Sequence, residues 1–205
     1  MRWLPSDTTS PPPPGSPALF LDRDGVLVVE KDYLCDPDEV QLVPGVCEAL
    51  GRARAAGYLL VGVSNQSGLG RGRFTTAQFA AVMERMTDLL QENRLDDFYY
   101  CPHSPDHGCR CRKPAPGLLE EAARHHQWDP GRSWVIGDKI SDLDLALRAN
   151  LRPVLVRTGY GCEQEPLLGE RRGVLIADDL AAAVDRILAK DGTPAKDGTP
   201  AKDLP

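Results

Sequence analysis

The stretch Leu19-Phe20-Leu21-Asp22-Arg23-Asp24-Gly25-Val26-Leu27 constrains the fold more than any other part of the chain. Its apolar run is too short for an ordinary helix and lies between Pro17 and Gly25, which predicts a buried parallel strand ending in two carboxylates. Residues i and i+2 of an extended segment point to the same side, so this spacing brings Asp22 and Asp24 together. Two ionised carboxylates that close call for a cation between them. Mg²⁺, the hard, oxygen-seeking ion of phosphate chemistry, is the expectation.

With 205 residues and 41% hydrophobic content, the chain has material for one α/β core. No stretch approaches the ~20 apolar residues of a membrane span. The opening Met1-Arg2-Trp3-Leu4-Pro5 lacks the apolar centre of a signal peptide, so a cytoplasmic protein with no membrane partner is expected. A net charge of −6 and a pI near 5.2 argue against general attraction to nucleic acid. Both ends are expected to be disordered. Residues 1–17 are dominated by Pro, Ser, Thr and Gly, and in 190–205 the unit Ala-Lys-Asp-Gly-Thr-Pro, starting at Ala189 and again at Ala195, carries no apolar face. That leaves residues 18–189 as a single domain, expected to be monomeric.

Within it, strand and helix patterns alternate. Pro44 to Ala56 has Val46, Leu50 and Ala53 at helical spacing and stops at Gly57; Tyr58 to Val63 reads as a buried strand. Thr75 to Leu90 puts Phe79, Val82, Met83, Met86 and Leu90 on one helical face, most simply a core face. Strand 98–100, helix 116–126, strand 134–136, helix 141–149, strand 154–156, a short strand 174–176 and helix 179–189 complete the series. This order implies a doubly wound, mainly parallel sheet, with the site at the carboxyl ends of its strands.

The candidate chemistry falls at those ends. After the second strand come Ser64-Asn65-Gln66-Ser67-Gly68, a hydroxyl, two amides and a flexible backbone suited to phosphoryl oxygens. The fourth strand ends in Gly137-Asp138-Lys139, with Asp142 four residues beyond Asp138; a carboxylate there suits a metal ligand. Arg112-Lys113-Pro114 places two cations ahead of a helix, where one could neutralise a transferring phosphoryl group. Arg71, Arg73 and Arg157 follow other strand-end loops and add to the basic residues expected around the site. Cys101, His103, Cys109 and Cys111 form a second constellation. Three thiolates and an imidazole make a closed tetrahedral set that suits structural Zn²⁺, with His107 an exposed spectator. The remaining Cys35, Cys47 and Cys162 are isolated and read as buried free thiols.

In their order, Asp22-x-Asp24, Ser64, Lys113 and Gly137-Asp138-x-x-x-Asp142 resemble the four motifs of the haloacid-dehalogenase (HAD) superfamily of phosphatases, over about residues 18 to 160. Asn65-Gln66-Ser67-Gly68, Arg71-Gly72-Arg73-Phe74, Cys101-Pro102-His103, Cys109-x-Cys111-Arg112-Lys113-Pro114 and Val156-Arg157-Thr158-Gly159 are similar to the family of heptose 1,7-bisphosphate 7-phosphatases. The related histidinol-phosphate phosphatases share the zinc loop and the first motif. Val26 stands where the family usually has Thr, Ser64 where Thr is more frequent, and Glu30-Lys31-Asp32-Tyr33 matches the sugar-contacting stretch only at Tyr33.

The resemblance implies a Rossmann-like HAD fold with a zinc-bound loop and no large cap. It also implies roles. Asp22 would be the nucleophile and Asp24 the proton donor and later base. Mg²⁺ would lie between Asp22, the Asp24 carbonyl and Asp138, supported by Asp142. Ser64, Asn65, Gln66, Ser67 and Lys113 would hold phosphate, with Lys139 orienting Asp22. Tyr33 and Arg112 would recognise a small phosphorylated sugar. The alternatives are a phosphatase acting on histidinol phosphate or another sugar phosphate, and a zinc-binding module without catalysis.

Overall fold

The computed structural model describes residues 1–3 and 11–192; residues 4–10 and the repeated tail from 193 onward lie outside the described residues. Seven strands form one sheet: β1 Arg2–Trp3, β2 Ala18–Leu21, β3 Leu59–Asn65, β4 Asp97–Cys101, β5 Trp134–Gly137, β6 Arg152–Val156 and β7 Leu175–Ala177, in the order β1-β4-β3-β2-β5-β6-β7. All neighbours are parallel except β1 and β4. The helices are α1 Val46–Ala55, α2 Ser67–Gly70, α3 Thr76–Leu90, α4 Gly117–Ala122, α5 Ile140–Arg148, α6 Gly161–Gln164 and α7 Leu180–Lys190.

Alternation along β2 decides the layers. Leu19 and Leu21 face a core shared with α1, α3 and α7, while Ala18 and Phe20 face a second core with α4 and α5. Both faces are thus covered, which is why every residue of β2 is apolar and fully buried. Because β3 lies on one side of β2 and β5 on the other, the chain reverses direction across the sheet beside β2, and a crevice opens at its carboxyl end. Residues 22–45 connect β2 to α1 with a single 3-10 turn at Pro37–Glu39, and no large cap is evident among the described residues. Helix α3 opens with a capping box at Thr75, where Gln78 returns a hydrogen bond.

Two expected boundaries are corrected. Residues 1–17 are not wholly disordered: Arg2 and Trp3 pair antiparallel with Tyr99 and Phe98, the terminal ammonium donates to the Tyr100 carbonyl, and Gly15 donates to Gln127. An ionic anchor, Arg2 on buried Asp97, fixes a segment whose own apolar content could not. At the other end the domain runs past 189, since Asp191 holds Arg152 at 3.1 Å and accepts from the Tyr58 hydroxyl.

Candidate active site

The strand β2 stops at Leu21, and the chain turns back at once, with Val26, Leu27 and Val28 all donating to the Arg23 carbonyl and Gly25 at φ +81°. This turn breaks the extended alternation. The Asp24 carboxylate therefore does not share a cation site with that of Asp22, as their spacing suggested. It accepts from Arg23 at 2.6–3.0 Å and from Gln66 at 2.8 Å. The carboxylates that gather with Asp22 are Asp138 and Asp142, all three buried and with ligand oxygens within 4.8 Å of one another. Gly25 and Gly159 make room for this: a Cβ on either would fall 2.3 Å from Asp138 Oδ2. A Cβ at Gly137 would lie 2.3 Å from Asp142.

Lys113 binds the group together. The residue is 3% exposed, and its ammonium lies 2.9 Å from Asp22 Oδ2 and 2.6 Å from Asp142 Oδ1 and donates to the Val63 carbonyl at 2.8 Å. Burial alone would discharge it, but Asp142 and Asp22 outweigh burial and raise its pKa. Burial likewise opposes ionisation of Asp22, and Lys113 and Lys139 overcome that to hold its carboxyl below the usual range. Asp142 is pushed up by burial despite Lys113.

Asp138 has the weakest partners of the cluster. Its Oδ2 accepts from the Tyr160 N–H at 2.9 Å, and its buried Oδ1 makes no hydrogen bond, the Lys139 ammonium lying 3.5 Å from it. Burial, and then the charge of Asp22, push its carboxyl up to about 7. Three clustered carboxylates served by two ammonium groups, one of them at 3.5 Å, are a donor set short of positive charge, and they fit a hard divalent cation.

The neighbouring side chains are positioned just as tightly. The Asn65 amide clamps the Lys113 backbone, donating to its carbonyl at 3.1 Å and accepting from its N–H at 2.9 Å, so this amide is engaged in placing Lys113. Gln66 donates to both Asp24 and the Ser64 hydroxyl. The ammonium in contact with Asp22 is that of Lys113, and Lys139 acts on Asp22 through its charge. Lys139 lies 3.1 Å from Glu30 and 3.5 Å from Asp138, with its ammonium over the Tyr160 ring at 4.4 Å. A cavity of about 300 Å³ opens above these groups, lined among others by Asp22, Asp24, Tyr33, Ser64, Ser67 and Arg112. Arg112 carries a buried terminal nitrogen with no hydrogen bond, a donor free for a ligand. Arg71, Arg73 and Arg157 do not line the cavity: Arg73 stacks on the Tyr33 ring, and Arg157 is taken up by Glu165 and Asp178.

The second constellation is also assembled. The Sγ atoms of Cys101, Cys109 and Cys111 and Nδ1 of His103 lie 3.2–3.6 Å apart along four of their edges. A zinc tetrahedron with bonds of about 2.0–2.3 Å has edges of about 3.3–3.8 Å, so the set fits that ion. His107 stands outside as an exposed ring stacked on His103. The loop is seated against the active site: the Cys101 carbonyl accepts from the Gln66 N–H, and a Cβ at Gly70 would strike the Pro102 carbonyl at 2.6 Å.

Sequence reasoning missed Arg23, Glu30 as the partner of Lys139, and Tyr160. A charged side chain between two aspartates at a buried strand end was a signal for Arg23. Tyr160 left none.

An ionised carboxylate at the end of β2, a lysine on it, and two further carboxylates after β5 are the arrangement of a HAD-type phosphatase. Comparison with known proteins agrees. Residues 18–142 match the family model described as polynucleotide kinase 3 phosphatase, and residues 110–183 the HAD-hydrolase-like model. The D-glycero-beta-D-manno-heptose-1,7-bisphosphate 7-phosphatase of Yersinia pestis is 43% identical over 85% of this chain and 96% of its own. That of Pseudomonas aeruginosa is 40% identical over 83% and 97%. Among solved structures, the D,D-heptose 1,7-bisphosphate phosphatase of B. bronchiseptica, complexed with magnesium and phosphate, superposes with a TM-score of 0.80 at 37% identity, over 85% of this chain and 99% of that one. The chain belongs to the heptose-bisphosphate phosphatase family of HAD phosphatases, enzymes that hydrolyse phosphate monoesters.

Proposed function

We propose that the enzyme removes the 7-phosphate of D-glycero-D-manno-heptose 1,7-bisphosphate through an aspartyl-phosphate on Asp22. The observation that carries the mechanism is the paired state of the two aspartates. Asp22 is ionised against Lys113 at 2.9 Å on the cavity wall, whereas Asp138 beside it has only the Lys139 ammonium, at 3.5 Å. Asp22 would attack phosphorus, and Asp24 would protonate the leaving sugar oxygen and then take a proton from the hydrolytic water. Ser64, Ser67 and Lys113 would hold the phosphoryl oxygens, with Asn65 and Gln66 positioning them. Asp22, Asp138 and the Asp24 carbonyl would hold Mg²⁺, which when bound offsets charge on the nucleophile and the phosphoryl group. Zn²⁺ in the Cys101–Cys111 loop would be structural, with about one zinc per chain by metal analysis.

The relatives' substrate supports the heptose assignment, as does the unpaired Arg112 nitrogen beside Tyr33 and Lys31 on the cavity wall. Arg112 and Lys31, without Arg71 or Arg157, would receive the distal phosphate, with the enzyme working as a cytoplasmic monomer. No helix among the described residues is long and apolar enough to cross a membrane. Phosphate release with Mg²⁺ should show higher kcat/KM for heptose 1,7-bisphosphate than for histidinol phosphate, and Arg112→Ala should narrow the gap by tenfold or more, since one charge-assisted contact is worth roughly 1.5–3 kcal/mol. Equal or faster hydrolysis of histidinol phosphate would overturn the heptose assignment and leave the phosphatase chemistry standing.

A further inference from the structure

Arg23, 1% exposed, is the largest fully buried side chain among the described residues; it lies at the wall of the cavity, where its ion pair is with Asp24. Its Nε and Nη2 atoms grip both oxygens of that carboxylate at 2.6–3.0 Å. The rest of the guanidinium is walled in by apolar groups: the Phe79 ring lies 5.8 Å from its centre and Met83 Sδ 4.0 Å from Nη1. A cation buried on an apolar helix face is costly unless one partner compensates it fully. Here that partner is a residue whose other oxygen contact, Gln66, leads straight to Ser64. The two-pronged grip also fixes the plane of the carboxylate, as a single ammonium could not.

We propose that Arg23 is a positioning residue for Asp24: it sets the rotamer from which that carboxylate delivers its proton to the leaving oxygen. This rests on the reading of Asp24 as proton donor. Proton delivery to a poised oxygen tolerates little misalignment, and loss of a general acid costs about 10²–10⁴-fold, so a misaimed one should cost part of that.

The test compares two leaving groups. A sugar alkoxide needs a proton to depart, whereas nitrophenolate leaves without one. In single-turnover experiments with Mg²⁺, Arg23→Met should slow transfer from heptose 1,7-bisphosphate about tenfold to a hundredfold, with KM changed less than threefold. The nitrophenol burst from p-nitrophenyl phosphate should stay within threefold of the parent. Arg23→Lys, which keeps the charge and loses the fork, should show the same split and serves if Arg23→Met does not fold. Equal losses on both substrates would make Arg23 merely structural and overturn the inference. Asp24→Asn is the control: if it fails to discriminate, the proton-donor reading falls and this inference with it, whereas if it discriminates and the Arg23 variants do not, the inference about Arg23 alone falls. A readout independent of turnover is denaturant stability. Asp24→Asn should destabilise by leaving the cation bare, and adding Arg23→Met to it should recover that loss; no recovery counts against the grip.

Discussion

Asp97 and Asp138 are both fully buried aspartates at strand ends of one sheet, and the protein treats them in opposite ways. Asp97 opens β4, at the end of the sheet away from the cavity. It accepts from Arg2, from the Tyr99 hydroxyl and from the Phe98 N–H, and His126 lies 2.9 Å away. Burial opposes its ionisation, but these partners hold its carboxyl down to about 2. Asp138 follows β5 at the cavity end, has for its Oδ1 only the Lys139 ammonium at 3.5 Å, and is pushed up to about 7. Burial of a carboxylate therefore does not mark a site; too little compensation of its charge does. One end of the sheet uses its charge for cohesion, and the other keeps an unmet demand for positive charge, which a cation and a phosphate can answer.

The strongest way to break this comparison is to neutralise one carboxylate at each end. Asp22→Asn should lower turnover by more than about 10⁴-fold, because an amide keeps the shape and loses the nucleophile, yet the protein should still fold, since Lys113 keeps Asp142 and the Val63 carbonyl when its pair with Asp22 is lost. Turnover near the parent rate would remove Asp22 from the mechanism. Asp97→Asn should do the reverse. It leaves Arg2 half-paired and turns an amide N–H toward donors, at a cost of about 3 kcal/mol in denaturant unfolding, with kcat held within threefold. A large fall in kcat with unchanged stability would show that the two ends are not separable in this way.

This division of labour was only half legible in the sequence. The strands, their parallel order and the cavity end followed from short apolar runs and alternating patterns, because a sheet buried on both faces leaves no other reading of Leu19 to Leu21 or Trp134 to Ile136. Some residue types of the site were legible for the same reason: Asp22 and Asp138 each stand one position past a strand and Ser64 near the end of one, whereas Lys113 and Asp142 lie further on. Their pairings were not. Asp24 turns from Asp22 because of Gly25, and Lys113 rather than Lys139 holds Asp22 because Asn65 clamps its backbone from another strand. Such contacts lie 42 to 50 residues apart and leave no periodic trace. Strand β1 was missed outright, since two residues anchored by an ion pair to Asp97 carry no pattern at all.

A cation should sharpen the contrast. At about 100 times its Kd, Mg²⁺ binding only to the folded protein would stabilise it by about 2.7 kcal/mol, visible as a rise in Tm. Asp138→Asn should abolish most of that rise, and without Mg²⁺ it should be as stable as the parent or more so. A full Mg²⁺ response in Asp138→Asn would place the ion elsewhere.

The smallest effect concerns acid. A carboxyl ordinarily near 3.8 that is held at about 2 when folded contributes stability that is fully present above the unfolded value and is lost as pH falls through the folded one. For Asp97 that window runs from about pH 5 to pH 2, and a displacement of nearly two units corresponds to about 2 kcal/mol. The groups facing it, Arg2, Tyr99 and His126, all act as partners of the ionised form, so they share the same sign. Unfolding free energies of the parent should therefore fall toward those of Asp97→Asn across this range, with the gap between them about 2 kcal/mol narrower at pH 2 than at pH 5. A gap that stays constant from pH 5 to pH 2 would mean that Asp97 is not held as a carboxylate by Arg2 and its neighbours, and the contrast with Asp138 would lose its cohesive half.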